Sequence, residues 1–154
     1  MFAAPSLSDF FKTGAPAPAY GAPMTARFDA LGLVVSDMAA SIDFYRRLGF
    51  TFPEGAEQQG HAEAELPGGL RLLLDTEEVV RSFHSGWKPP TGSARASLAL
   101  RCDSPEEVDT LYKELTSEGH TGELAPWDAV WSQRYAVVLD PDGNAVDLFA
   151  PLPG

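Results

Sequence analysis

Ala30-Leu31-Gly32-Leu33-Val34-Val35-Ser36-Asp37 and, much later in the chain, Ser97-Leu98-Ala99-Leu100-Arg101-Cys102-Asp103-Ser104 follow one pattern. In each run, larger apolar residues (Leu31, Leu33, Val35; Leu98, Leu100, Cys102) alternate with Ala30, Gly32, Val34 or Ser97, Ala99, Arg101. That period of two is the signature of a strand with two unlike faces. Each run ends in a helix-start signal, Ser36-Asp37 in the first and Asp103-Ser104 in the second, where Pro105 sits in the first turn. Helical spacing follows in both, through Ile42, Tyr45 and Leu48 to Gly49, and through Leu111, Tyr112 and Leu115 to Gly119. The chain is written twice.

Outward from these runs, short strands are predicted around Gly49–Phe52, His61–Leu66 and Leu70–Asp75, the last after the Pro67-Gly68-Gly69 turn. The second copy repeats them near Gly122–Leu124, Trp131–Leu139 and Ala145–Phe149. Asp140-Pro141-Asp142-Gly143-Asn144 forms a strong hairpin turn between the last two. A repeat this long calls for a paired module rather than a solenoid. The reading is α+β: two βαβββ modules forming an open curved sheet within a single domain, residues 24–154. Residues 1–23 read differently. They are rich in Ala, Pro and Gly, with aromatic residues at Phe10, Phe11 and Tyr20, and suit an arm or linker. They lack the basic and apolar regions of a secretory signal.

Bulk properties exclude more than they assign. A chain of 154 residues, 44% hydrophobic and 21% charged, is long enough to bury a core without staples. The single cysteine, Cys102, rules out an intramolecular disulfide and fits a reducing cytoplasm, where it reads as a small hydrophobe. No apolar run approaches the roughly 20 residues needed to span a bilayer, so no membrane partner is expected. A net charge of −11 argues against nucleic acid, which demands a basic surface. It would steer a cationic ligand, although simple solubility explains it first.

Leu33-Val34-Val35-Ser36-Asp37 running into Ser41-Ile42-Asp43-Phe44-Tyr45, together with Asp140-Pro141-Asp142-Gly143-Asn144-Ala145-Val146-Asp147-Leu148, resembles the glyoxalase/bleomycin-resistance (vicinal oxygen chelate) superfamily. Three further stretches look like the actinomycete mitomycin-resistance, or mitomycin-binding, proteins. They are Leu74–Ser82, Leu124-Ala125-Pro126-Trp127-Asp128-Ala129-Val130-Trp131-Ser132-Gln133-Arg134-Tyr135, and Asp147-Leu148-Phe149-Ala150-Pro151-Leu152-Pro153. The resemblance implies a homodimer that sequesters a planar, quinone-like natural product of mitomycin or bleomycin type, for self-resistance or carriage. The ring would be held between an imidazole and an indole, at His61 and Trp131. Ser97, Gln133, Arg134 and Asp147 are the further candidates for polar contacts.

The positions that carry metal ligands in relatives read Ala30, Leu73, Ser97 and Asp147, and only Asp147 offers a good donor. A catalytic divalent site needs about three protein ligands. No metal, no cofactor and no catalytic residue are therefore expected. His61, His84 and His120 show no ligand spacing, and Glu63 and Glu65 on one side of a strand suit a solvated face before an acidic lip. Trp87, Trp127 and Trp131 each have packing as the alternative to ligand contact. Packing is preferred for Trp127, and the family match favours ligand contact at Trp131. Arg134 equally suits a structural ion pair. A metal-free enzyme using His61 or Asp147 as base is the competing function, and a module whose cleft is filled by its own arm is a third.

Overall fold

The computed structural model describes residues 26–154; the arm expected over residues 1–23 lies outside them. The first half runs β1 (Ala30–Val35), α1 (Met38–Arg47), a short 3-10 turn (Ala56–Gln58), β2 (His61–Glu65) and β3 (Arg71–Thr76). A helix, α2 (Glu77–Phe83), leads into a loop. The second half runs β4 (Ser97–Arg101), α3 (Pro105–Ser117), β5 (Gly122–Ala129), β6 (Gln133–Leu139) and β7 (Ala145–Pro151). Two sheets result, ordered β1-β3-β2 and β4-β7-β6-β5, with β1–β3 and β4–β7 parallel and the other pairs antiparallel.

The repeat read from the sequence holds in the register of the paired strands. Gly32 pairs with Leu73, as Ala99 pairs with Asp147. His61 pairs with Asp75, as Tyr135 pairs with Phe149. Capping follows the expected chemistry: the Asp37 carboxylate accepts from the Ala40 N–H at 2.9 Å and the Ser104 hydroxyl from the Glu107 N–H at 3.2 Å. Each satisfies a backbone donor that the first helical turn leaves unpaired.

Alternation then divides the two sides of each sheet. Ala62, Ala64, Leu72, Leu74, Val146, Leu148 and Ala150 are buried with Ile42, Phe44 and Tyr45 of α1 and Val108 and Leu115 of α3. Leu33, Leu98 and Leu100 pack against this core, as their pattern predicts, whereas Leu31 at the start of β1 is exposed. The opposite faces carry Ala30, Gly32 and Val34 in one half and Ser97, Ala99 and Arg101 in the other. Burying these apolar side chains supplies most of the driving force for folding, at ~25 cal/mol per Å² of apolar surface.

Four expectations need correction. Gly49–Phe52 is not a strand. The Phe50 N–H turns back to the Tyr45 carbonyl at 3.0 Å, Gly49 takes φ +93°, and Phe52 sinks into the core ahead of Pro53. The first sheet therefore has three strands and the second four. Glu77–Phe83 forms a helix that the strand-centred reading passed over, capped by Thr76, whose hydroxyl accepts from the Val79 N–H at 3.3 Å. The strand expected near Gly122–Leu124 continues to Ala129; its register shifts on both sides of Leu124 let an edge strand accommodate Pro126. Finally, β6 begins at Gln133, so Trp131 lies in a turn and not in a strand.

Candidate ligand-binding site

The outward face of the second sheet forms a pocket of about 520 Å³. Its floor is set by register. Asp147 on β7 stands between Ala99 on β4 and Val137 on β6, with Tyr135 and Phe149 paired one step along. The side chains of Leu124 and Trp127 on β5 and of Trp131 in the β5–β6 turn build the wall. Because Ala99 has only a methyl group, the space above Asp147 stays open.

Four aromatic rings line this hollow. Trp127 meets Trp131 edge to face at a centroid distance of 6.1 Å, and Tyr135 lies 5.4 Å from Trp127 and 5.5 Å from Trp131. Tyr135 and Phe149 stack at 6.2 Å with 22° between their planes. Such pairs contribute about 0.5–1.5 kcal/mol beyond the area they bury. They also fix one another's orientation, so the walls are preformed. The Trp131 indole N–H donates to the Gln133 side-chain oxygen at 3.0 Å, which holds the ring against the pocket.

The turn that presents Trp131 is strained. The Ser132 N–H closes on the Ala129 carbonyl at 3.0 Å, and Ser132 is the one non-glycine with positive φ, +66°, among the described residues. The left-handed region costs a residue with a Cβ about 1–2 kcal/mol. The sequence makes Trp131 the first residue of a strand. In the structure the turn folds it back, and both indoles line one pocket.

Asp147 is the acidic group in this pocket. Ser97 Oγ donates to its Oδ2 at 3.0 Å, and Tyr135 Oη donates to the same oxygen at 2.7 Å. Burial first, and then this bond, push the Tyr135 hydroxyl above the ordinary phenol range, so it remains a donor. The other carboxylate oxygen, Oδ1, accepts no hydrogen bond among the described residues.

His61 lies elsewhere. It stands on the outward face of the first sheet, not in the aromatic pocket, with Nδ1 2.6 Å from Asp75 Oδ1 and Nε2 2.9 Å from Glu63 Oε1. Glu63 also accepts from Arg71 at 2.7 Å, and Arg71 reaches Asp29 at 2.5 Å. The Glu63 carboxylate, then that of Asp75, raises the His61 pKa above its ordinary value, and both ring nitrogens act as donors in the imidazolium. Glu63, expected on a solvated face, is thus part of a charge network.

Arg134 takes the ion-pair alternative. Its position alternates with Gln133 and Tyr135, so its guanidinium points to the helix side of β6, where it binds Asp109 at 2.8 Å and Asp128 at 3.0 Å. It is a structural ion pair and does not line the pocket. Trp87 also stands apart, in a smaller hollow of about 310 Å³ beside Gly32 and Val34, with the Arg81 guanidinium 5.2 Å from its ring centre. Tyr135 and Phe149 are the site residues that sequence reasoning missed. Both were legible in principle, as Tyr135 shares strand parity with Gln133 and Phe149 with Asp147.

The metal-ligand positions implied by the family resemblance do not suit a metal. Ala30 and Leu73 offer no donor, and Ser97 and Asp147 are bonded to each other. No cluster of three or more His, Cys, Asp or Glu side chains suited to an ion occurs among the described residues. Other hollows of similar size, beside Arg47, Lys113 and Glu118 and beside Arg46, Glu54 and Glu57, are lined mainly by charged, flexible side chains.

Comparison with known proteins agrees with this architecture. The YraH protein of Bacillus subtilis (strain 168) is 28% identical over 122 residues, covering 78% of this chain and 94% of its own. A crystal structure of a glyoxalase/bleomycin resistance protein/dioxygenase from Nocardioides is 29% identical, with a TM-score of 0.67 over 87% of this chain and 89% of that one. A family enzyme of the same description from Burkholderia phytofirmans PsJN shares the fold at a TM-score of 0.71, with 22% identity, covering 82% of this chain and all of its own. Residues 27–148 match the family described as the Glyoxalase/Bleomycin resistance protein/Dioxygenase superfamily, and the chain belongs to it.

Proposed function

We propose that this protein binds a planar, quinone-like natural product of the mitomycin or bleomycin type and sequesters it unaltered, without a metal. The observation that carries the reading is the preformed aromatic pocket of about 520 Å³ around Asp147. It has the volume and the apolar walls that a drug-sized ring system needs. Stacking plus burial of a fused ring reaches micromolar to nanomolar affinity, about −8 to −12 kcal/mol. Self-resistance or carriage in the cytoplasm is the role that fits such capture.

The pocket is open on one side, and a homodimer supplies the cover in this reading. The first-sheet face of a second copy would bring His61 opposite Trp131, so that imidazolium and indole sandwich the ring. Catalysis without a metal is the weaker reading. Asp147 has no histidine or second carboxylate beside it in the pocket, and His61 has both nitrogens engaged by carboxylates. A general base needs a free lone pair within reach of the proton it removes.

The test is a titration of tryptophan fluorescence with mitomycin C, bleomycin and a planar quinone antibiotic, using protein stripped of metal. Saturable quenching that is lost in Trp131→Ala, with the compound recovered intact, is the expected result. Absence of quenching by all three, or recovery of an altered compound, would overturn the reading.

A further inference from the structure

We infer that the ligand of this pocket carries a protonated amine or an equivalent cationic N–H group, and that Asp147 Oδ1 receives it. This deepens the proposed binding function and rests on it. The argument begins with what a ligand would cover. Asp147 stands on the pocket floor between Ala99 and Val137, and its Oδ2 already accepts from Ser97 and from Tyr135. Its Oδ1 accepts nothing among the described residues. A flat ring closing the pocket takes that oxygen out of water.

An unpaired carboxylate oxygen in an apolar enclosure is costly, so a ligand that offers no donor there is penalised. A quinone or other carbonyl edge facing Asp147 would be worse, because two acceptors would meet. A charged N–H group removes the penalty by making a charge-assisted bond. The surrounding rings favour the same group. Trp127, Trp131, Tyr135 and Phe149 present π faces and edges around the pocket, and cations bind the negative faces of such rings. Tyr135 and Ser97 cannot serve in place of the ligand, since their hydroxyl protons are committed to Oδ2. At long range the net charge of −11 draws cations toward the protein. Among planar natural products, then, the pocket selects those with a basic nitrogen on one edge and orients that edge toward β7.

Two flat tricyclic probes separate the charge from the ring: 9-aminoacridine, a cation at neutral pH, and acridine, neutral at the same pH. Each is titrated into the full chain by isothermal calorimetry at about 0.15 M salt, where long-range steering is largely screened. The cation is expected to bind at least about tenfold more tightly than the neutral ring. In Asp147→Asn, which preserves shape, that preference should fall to within about twofold, with acridine affinity unchanged or improved. Glu106→Gln, which removes an exposed acidic charge from α3, should leave the preference intact. Equal binding of the two probes, or a preference that survives Asp147→Asn, overturns the inference while the ring-binding function stands. If neither probe nor any quinone binds, the binding function fails, and this inference fails with it.

Discussion

His61 stands between two carboxylates on the outward face of the first sheet. As an exposed strand residue it looks free to stack or to take a proton. In the structure it is clamped between Asp75 and Glu63, with its pKa raised by both, Glu63 first. A raised folded-state pKa means that the folded protein binds the proton more tightly than the unfolded chain does. The stabilisation is therefore complete below the unfolded value, about 6.5, and fades as pH rises through the higher folded value. His61→Gln is expected to cost more stability at pH 5.5 than at pH 8.5. Urea unfolding at the two pH values checks this, and an equal loss at both would mean that the imidazolium is not held by the carboxylates. The side chain is 46% exposed, so the difference should be modest.

At the scale of elements, the strand and helix frame was readable because alternation and capping are local. Leu33, Leu98 and Leu100 pack inward, and Asp37 and Ser104 cap their helices, as their spacing indicates. The pocket was less readable because it depends on a turn. Nothing in Val130-Trp131-Ser132 announces that a serine adopts a left-handed conformation and reverses the direction of an indole. Arg134 stood open between ligand and ion pair for a related reason: its partners Asp109 and Asp128 come from different elements, and only the assembled sheet shows on which side they meet. Gly122 was legible as the opening of a strand but not as a contact. A Cβ there would collide with the hydroxyl and ring of Tyr112, so α3 packs directly on β5 backbone. The hairpin carries its own prediction. Ser132→Val puts a β-branched side chain at φ +66° and should cost about 1–2 kcal/mol in urea unfolding, with weaker quenching by any bound ring. Ser132→Gly should keep both stability and quenching. If valine is tolerated as well as glycine, the turn does not hold Trp131 in the way described.

Across the whole molecule, the two halves are joined where the duplicated pattern is most polar. The Asp140 carboxylate, 4% exposed, accepts from the backbone N–H groups of Asp142 and Asn144 and from the Asn144 side chain, and so shapes the β6–β7 turn. Its fourth donor comes from the other half, Tyr45 Oη on α1, at 2.7 Å. Burial, followed by the Asp140 charge, raises the Tyr45 pKa, so the phenol stays protonated and keeps donating. Asp142 extends the junction by accepting from the Ser36 N–H at the end of β1, at 3.1 Å. Phe44 meets His120 edge to face at 4.9 Å and closes the apolar side of the same seam. Tyr45→Phe preserves the ring, which is fully buried and packs on Phe44 and Phe50, while removing one donor from a buried carboxylate. The loss should be about 1.5–3 kcal/mol, the range for a hydrogen bond to a charged group. Unfolding should remain a single transition when followed by tryptophan fluorescence and by far-ultraviolet circular dichroism, with both midpoints lowered together. In a Trp87→Phe background, which removes the indole beside Gly32 and Val34, Trp127 and Trp131 report on the second half, whereas the dichroism averages over both. Separation of the two curves in Tyr45→Phe would mean that each half is stable by itself and that the seam contributes orientation alone.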